Sequence, residues 1–162
     1  MPILPDILEP GLEIVFCGMA PSPESARQRA YYAGPGNRFW IALFEVGLTP
    51  RLLTPSEFRL LPQWGLGLTD VNKTESGRDA ALSRDAFDPA ALRAKIAQYE
   101  PRLLATTGKA SGRHLLGRAC DYGLQAETIG ATRIFVLPST SGAARGHWSI
   151  GPWRDLAAMV RR

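Results

Sequence analysis

Two short apolar runs, residues 13–18 (EIVFCG) and 133–137 (RIFVL), each pass directly into a loop of small residues. The first loop reads Gly18-Met19-Ala20-Pro21-Ser22, and the second continues from Leu137 as Pro138-Ser139-Thr140-Ser141-Gly142-Ala143-Ala144-Arg145. Short continuous apolar runs bounded by turn residues read as strands buried on both faces, and a sheet of such strands must be covered by helices on either side. In an open sheet of that kind ligands sit outside the carboxyl ends of the strands. Two small-residue loops at strand ends therefore predict one cleft.

The rest of the chain alternates in the same way. Residues 66–71 (LGLTDV) and 102–106 (RLLAT) read as further strands. Apolar residues at helical spacing mark residues 37–46, which stop at Gly47, residues 90–99 behind an Asp88-Pro89 cap, residues 109–118, and residues 153–161 behind Gly151-Pro152. Thr54-Pro55-Ser56-Glu57 has the form of a capping box with Pro at the first helical position, and opens a short helix ending before Trp64-Gly65. Residues 128–129 and 133–137 flank Gly130-Ala131 as a hairpin. The polar stretch 72–87, with Gly77, Arg78, Asp79, Arg84 and Asp85, reads as a long surface loop of the kind that often carries function. Alternating strands and helices predict a three-layer α/β/α sandwich with a central, mainly parallel sheet. No linker, repeat or composition shift divides the 162 residues, so a single domain over 1–162 is expected.

Lys and Arg number 19 against 15 Asp and Glu, for a net charge of +4. The sequence pI near 9.4 fits either a polyanionic partner or a solvated arginine-rich face. The two cysteines, Cys17 in a strand and Cys120 after a helix, have no metal-ligand spacing and form no disulfide framework; a four-thiolate iron–sulfur cluster cannot be built from them. The first residues, MPILPDILEPG, lack a positive region, and no stretch is apolar enough to span a bilayer. These features lead us to expect a soluble cytoplasmic protein with no membrane contact.

Between the two small-residue loops lies Tyr31-Tyr32-Ala33-Gly34-Pro35-Gly36-Asn37-Arg38-Phe39-Trp40. Together with Gly18-Met19-Ala20-Pro21 and Pro138-Ser139-Thr140-Ser141, in that order along the chain, it resembles the uracil-DNA glycosylase superfamily. In the mismatch-specific uracil and thymine glycosylases the corresponding motifs are Gly-x-Asn-Pro, Asn-Arg-Phe-Trp and Pro-Asn/Ser-x-Ser. The likeness extends from about Gly11 to Arg145. It departs from the pattern at Ala20, where the mismatch-specific enzymes carry a water-positioning Asn; a methyl group neither orients nor polarises water. The hypoxanthine-DNA glycosylase branch also lacks a polar group there. That branch has Tyr-Tyr-Gly-x-Pro-x-Asn, Trp-Asp-Val and Pro-Ser-Thr-Ser, close to residues 31–37, Thr69-Asp70-Val71 and residues 138–141 of this chain. The sequence thus lies between the two branches.

The resemblance implies a DNA repair enzyme that extrudes a uracil or another deaminated base, hydrolyses its N-glycosidic bond and leaves an abasic site. No lysine is placed for a Schiff base, so a monofunctional enzyme without metal or organic cofactor, acting as a monomer on DNA, is expected. A hypoxanthine-preferring glycosylase and a noncatalytic binder of damaged DNA are the alternatives. Bond cleavage passes through an oxocarbenium-like sugar, so a held water, a negative group near C1′ and donors to the departing base suffice.

Asn37 matches the asparagine associated with catalysis in the hypoxanthine branch, and it is equally a preferred helix cap. Asp70, at a strand end, suits stabilisation of the sugar cation or capping of the following loop. Asn72 faces the same side if the strand persists. Gly18, Met19 and Ser22 bring backbone N–H groups toward a planar base. Tyr32 matches the aromatic that stacks on the extruded base, with Tyr31 as its alternative or a core residue. Ser139 and Ser141 are donors for a phosphate, Lys109 is a phosphate contact or a solvated lysine, and Ala143 and Arg145 fall where relatives carry a wedge and its neighbouring arginine. His114 reads as structural. His147, six residues after Ser141, is a further residue to test, although the histidine of many related enzymes lies two residues before the Ser141 position, where this chain has Ser139.

Overall fold

The computed structural model describes residues 2–77, 86–142, 146 and 148–160. Its centre is a five-stranded sheet built from β1 (Ile14–Gly18), β2 (Leu66–Asp70), β3 (Leu103–Thr107), β4 (Gly123–Ile129) and β5 (Thr132–Leu137), in the order β2-β1-β3-β5-β4. The first four positions run parallel and β4 closes the edge antiparallel to β5. Both faces are covered, and the residue alternation shows how. Ile14 and Phe16 of β1 enter one apolar cluster while Val15 and Cys17 enter another, as successive side chains of a strand must. α2 (Phe39–Glu45), the 3-10 helix Pro55–Trp64 and α5 (Gly151–Val160) pack on the Phe16 side; α3 (Pro89–Tyr99) and α4 (Lys109–Leu116) pack on the Val15 side. The α/β sandwich expected from the alternation is the fold observed.

On the larger side Phe16 stacks on Trp153 at 5.6 Å between centroids and meets Phe39 edge-on at 5.2 Å. All three rings are fully buried, so truncating Trp153 to Ala should cost about 3–5 kcal/mol. The capping residues read from sequence act as expected at two helices. The Asp88 side chain accepts from the Ala91 N–H at 2.9 Å, and the Thr54 N–H donates to Glu57 Oε1 at 3.0 Å.

Three elements depart most from the sequence expectation. The helix expected from residue 37 starts at Phe39, because Asn37 Oδ1 takes the Phe39 N–H at 2.9 Å and holds residue 37 outside the first turn. A helix not anticipated, α1 (Pro23–Gln28), follows the first loop; Ser22 caps it and Arg29 ends it in the left-handed region at φ 53°. β4 is longer than the expected hairpin arm, since its residues alternate between half-buried and exposed on the sheet edge and form no apolar run. The amino-terminal segment adds an isolated bridge at the sheet edge, with Ile7 and Leu68 exchanging backbone hydrogen bonds at 2.9 and 3.0 Å beside β2.

Candidate active site

The strand order reverses its direction of growth at β1, with β2 on one side and β3 on the other, and that is where a crevice opens at the carboxyl ends of the strands. A cleft of about 970 Å³ lies there, lined by residues 18–22, 107–111 and 139–142 together with Tyr32, Asn37 and Asp70. Four of the five strands thus deliver their ends to one space.

Gly18, the last residue of β1, pairs in register with Asp70, the last of β2. A Cβ added at Gly18 would stand 3.0 Å from Asp70 Oδ1, 3.2 Å from the Tyr32 hydroxyl and 3.4 Å from Thr107 Oγ1. Three polar groups from three elements therefore converge on the bare Cα of one glycine, and any side chain there would push into them. The Tyr32 and Thr107 hydroxyls share a hydrogen bond of 2.9 Å, and Thr107 Oγ1 also donates to the Cys17 carbonyl at 3.4 Å.

Tyr32 is held from several sides. Its ring lies parallel to Phe39 at 3.9 Å between centroids, which covers one face, and the residue lines the cleft. Its backbone sits in the left-handed region at φ 54°, a conformation costly for a non-glycine residue and characteristic of binding sites. Tyr31 takes the core role: its ring is buried and edges onto Phe58, while its hydroxyl donates to the Pro5 carbonyl at 2.9 Å.

Asp70 is the buried charge of the cleft. Its side chain is 4% exposed, and Oδ2 has no hydrogen bond among the described residues; the Lys73 ammonium stands 3.8 Å away, an ion-pair distance. Burial pushes the carboxyl up to about 6 against the pull of Lys73. Asn37 lines the cleft while one lone pair of Oδ1 serves the α2 amino terminus, so the capping bond is made and the rest of the amide remains. The aromatic loop and the second small-residue loop are tied across the cleft mouth. The Arg38 N–H donates to the Thr140 carbonyl at 2.9 Å, and a Cβ on Gly142 would lie 3.0 Å from the Pro35 carbonyl.

Of the residues expected at the site, Gly18, Met19, Ser22, Tyr32, Asn37, Asp70, Lys109, Ser139 and Ser141 all line this cleft. Ser139 Oγ accepts the Ser141 N–H at 3.2 Å and keeps its own proton to donate. Lys109 begins α4 with its ammonium 4.5 Å over the Tyr122 ring. Asn72 does not line the cleft, because β2 ends at Asp70 and the alternation expected to carry it there stops. It is fully buried and folds the following turn, accepting from the Thr74 and Glu75 N–H groups and donating to Glu75 Oε1, while its own N–H binds the Met19 carbonyl. His114 stacks on Phe87 at 4.2 Å away from the cleft. Ala143, Arg145 and His147, and the loop charges Arg78, Asp79, Arg84 and Asp85, lie outside the described residues.

Sequence reasoning missed Thr107, whose signal was the Thr106-Thr107-Gly108 strand end. It also missed Asp6, Lys73 and Lys95, which meet only in three dimensions. No group of His, Cys, Asp and Glu side chains among the described residues has the arrangement of a metal site. No described helix is long and apolar enough to cross a membrane.

A solution structure of a Methanosarcina acetivorans protein, provisionally described as a uracil DNA glycosylase, superposes with a TM-score of 0.63 at 24% sequence identity, covering 96% of this chain and 92% of that one. At that identity the likeness speaks for the fold. The sequence itself matches the family model described as the Uracil DNA glycosylase superfamily over residues 5–158. A match along nearly the whole chain, with the cleft at the strand ends where the three ordered motifs converge, shows that the protein belongs to the uracil DNA glycosylase superfamily.

Proposed function

We propose that this DNA glycosylase removes uracil from DNA by water attack and leaves an abasic site. The observation that carries the reading is the juxtaposition of a buried carboxylate, Asp70, with an aromatic ring, Tyr32, that has one face already covered, around the bare Cα of Gly18. A base extruded from the stack lies on the face of the Tyr32 ring turned away from Phe39. Its glycosidic bond then breaks, with the electron pair leaving on the base and positive charge developing on the sugar. The Asp70 carboxylate stabilises that charge in a low-dielectric site, where a fixed anion is worth far more than in water. Asn37 orients the attacking water through the part of its amide not engaged with Phe39. The water oxygen bonds C1′, and the released proton passes by way of Asp70 to solvent or the departing base. Ser139, Ser141 and Lys109 hold the phosphates of the extruded nucleotide, and the carboxyl ends of β3 and β5 set their spacing.

Because the charged form of Asp70 does this work, the rate should rise with pH through about 6 and level off above it. The experiment is excision from single- and double-stranded oligonucleotides carrying uracil or hypoxanthine, read after alkaline cleavage. Uracil-dependent cleavage supports the reading. Faster cleavage of hypoxanthine, which the Ala20 methyl at the cleft wall would allow, assigns the protein to the other branch. Base-dependent binding with no abasic product makes it a damage-binding module.

A further inference from the structure

We propose that Lys73 is a positioning residue that keeps the Asp70 carboxylate charged at the floor of the cleft against the opposing Asp6 charge, and that the Tyr31 hydroxyl steadies Lys73 for it; the proposal rests on the glycosylase reading of that cleft. Lys73 is largely buried, at 16% exposed, and is gripped from several elements. Its ammonium stands 3.0 Å from Asp6 Oδ1 and donates to the Tyr31 hydroxyl at 3.2 Å, while its carbonyl accepts the Ile3 N–H at 2.7 Å. Asp70 Oδ2 stands 3.8 Å from the same ammonium.

A purely structural ion pair with Asp6 does not account for this lysine. Asp6 is already satisfied without it, since Lys95 donates to Oδ2 at 2.7 Å and Thr69 to Oδ1 at 2.7 Å. Asp70, by contrast, has a buried Oδ2 with no hydrogen bond among the described residues, and the Lys73 ammonium is the cation at ion-pair distance from it among those residues. A buried carboxylate without a counter-charge takes up a proton. The groups bearing on Asp70 come from every side: Lys73 beyond its own strand, Asp6 on the amino-terminal segment, Lys95 on α3, Tyr31 and Tyr32 on the aromatic loop, and Cys17 on β1. The two lysines favour its charged form, whereas burial and the Asp6 charge oppose it.

Two readouts test the proposal on the full chain. The first is the carboxyl-carbon NMR titration of Asp70 in the DNA-free wild type, Lys73→Met, Lys73→Arg and Asp6→Asn. The midpoint should move up by about one pH unit or more in Lys73→Met, an effect typical of losing a cation at this distance. It should return toward the wild-type position in Lys73→Arg and move down in Asp6→Asn. Opposite displacements in Lys73→Met and Asp6→Asn distinguish an electrostatic role from loosened packing, which would displace both the same way. An Asp70 midpoint unmoved in Lys73→Met overturns the proposal whether or not the protein excises any base. The second is single-turnover excision against pH. The acid limb of Lys73→Met should be displaced with the carboxyl midpoint, so that excision is about tenfold slower than wild type below the midpoint and converges with it at high pH. A moved midpoint with an unmoved rate profile overturns the link to catalysis. Absence of excision by the wild type on uracil removes the proposed function, and the NMR titration alone then decides the electrostatic claim.

Discussion

Asp6 and Asp70 both stand within ion-pair distance of the Lys73 ammonium, at 3.0 and 3.8 Å, yet the fold treats them in opposite ways. Asp6 lies behind β2, where three side-chain donors surround it and hold its carboxyl below the ordinary value despite partial burial. Asp70 lies on the cleft side, deeper, with one oxygen that has no hydrogen bond among the described residues and its carboxyl pushed up to about 6. A carboxylate kept for stability is given partners, because an unpaired buried charge costs free energy. One kept for chemistry is left under-satisfied, so that its field is directed at whatever charge develops in front of it. The comparison assigns the two residues to different tasks, and those tasks can be separated.

The largest expected effect is on rate. Asp70→Asn should slow single-turnover uracil excision by about 10²–10³, the usual cost of removing one preorganised group, and Asn37→Ala should do the same. Their stabilities should diverge. Burial raises the folded-state carboxyl of Asp70 above its ordinary 3.8 to about 6, so the charged form disfavours the fold; this penalty is absent below the ordinary value and complete above about 6. Asp70→Asn should therefore be more stable than wild type at pH 7.5, by on the order of 2–3 kcal/mol, with the advantage shrinking as pH falls toward 4. Asn37→Ala loses the bond to the Phe39 N–H and should be about 1 kcal/mol less stable. Asp6 has the reverse sign. Its lowered carboxyl contributes stability that is present above the ordinary carboxylate value and lost as pH falls through the folded one, so Asp6→Asn should be destabilised at pH 7.5 with a far smaller loss of rate. Urea midpoints at several pH values beside single-turnover rates check all three. An Asp70→Asn protein less stable than wild type at pH 7.5 would erase the distinction.

A smaller effect is expected at Tyr32. With Phe39 on one face, removal of the ring leaves an extruded base without its stacking surface, and Tyr32→Ala should weaken productive binding by about 1–3 kcal/mol. Tyr32→Phe loses only the hydrogen bond to Thr107 and should be mild. Equal losses, measured as KM and single-turnover rate on the same oligonucleotide, would shift the role from the ring to the hydroxyl.

The strands were legible because every residue of β1, β2 and β3 is buried, which forces an apolar run onto the sequence. α1 was not, because PESARQ buries only Ser25 and shows no apolar period; its signal was the Ser22-Pro23 start. At the site, the glycine and the small-residue loops announced the cleft, and the residues at strand ends reached it. Asn72 did not, because a period-two argument holds only while the strand lasts, and the strand ends at Asp70. Asp6 and Lys73 were invisible for a different reason. Their meeting depends on the amino-terminal segment lying along β2, where Ile7 pairs with Leu68, and no local pattern encodes that contact.

The smallest expected effect concerns the strand opposite the extruded base. In mismatch-specific relatives the second small-residue loop carries a bulky wedge that fills the vacated stack, whereas this sequence has Ala143 and Ala144 before Arg145, all three outside the described residues. The nearest large apolar residue along the chain is Trp148, and it is already engaged: its ring packs 6.1 Å from Trp153 in the core and lies 5.9 Å beneath the Arg38 guanidinium. A residue held from both sides is poorly suited to insertion between bases. Insertion of an apolar side chain compensates for unstacking, so without one, extrusion from a stable pair is harder and few contacts read the partner base. Single-turnover excision should therefore differ between U·G and U·A only as far as pair stability dictates, and a single strand, which carries no extrusion cost, should be a good substrate. The three substrates are compared at one salt concentration, because phosphate contacts make affinity salt-dependent. Activity confined to U·G with an inert single strand would mean that Trp148 leaves its packing on DNA binding. Trp148→Ala would then abolish the U·G preference, and its fluorescence would report the release from Trp153.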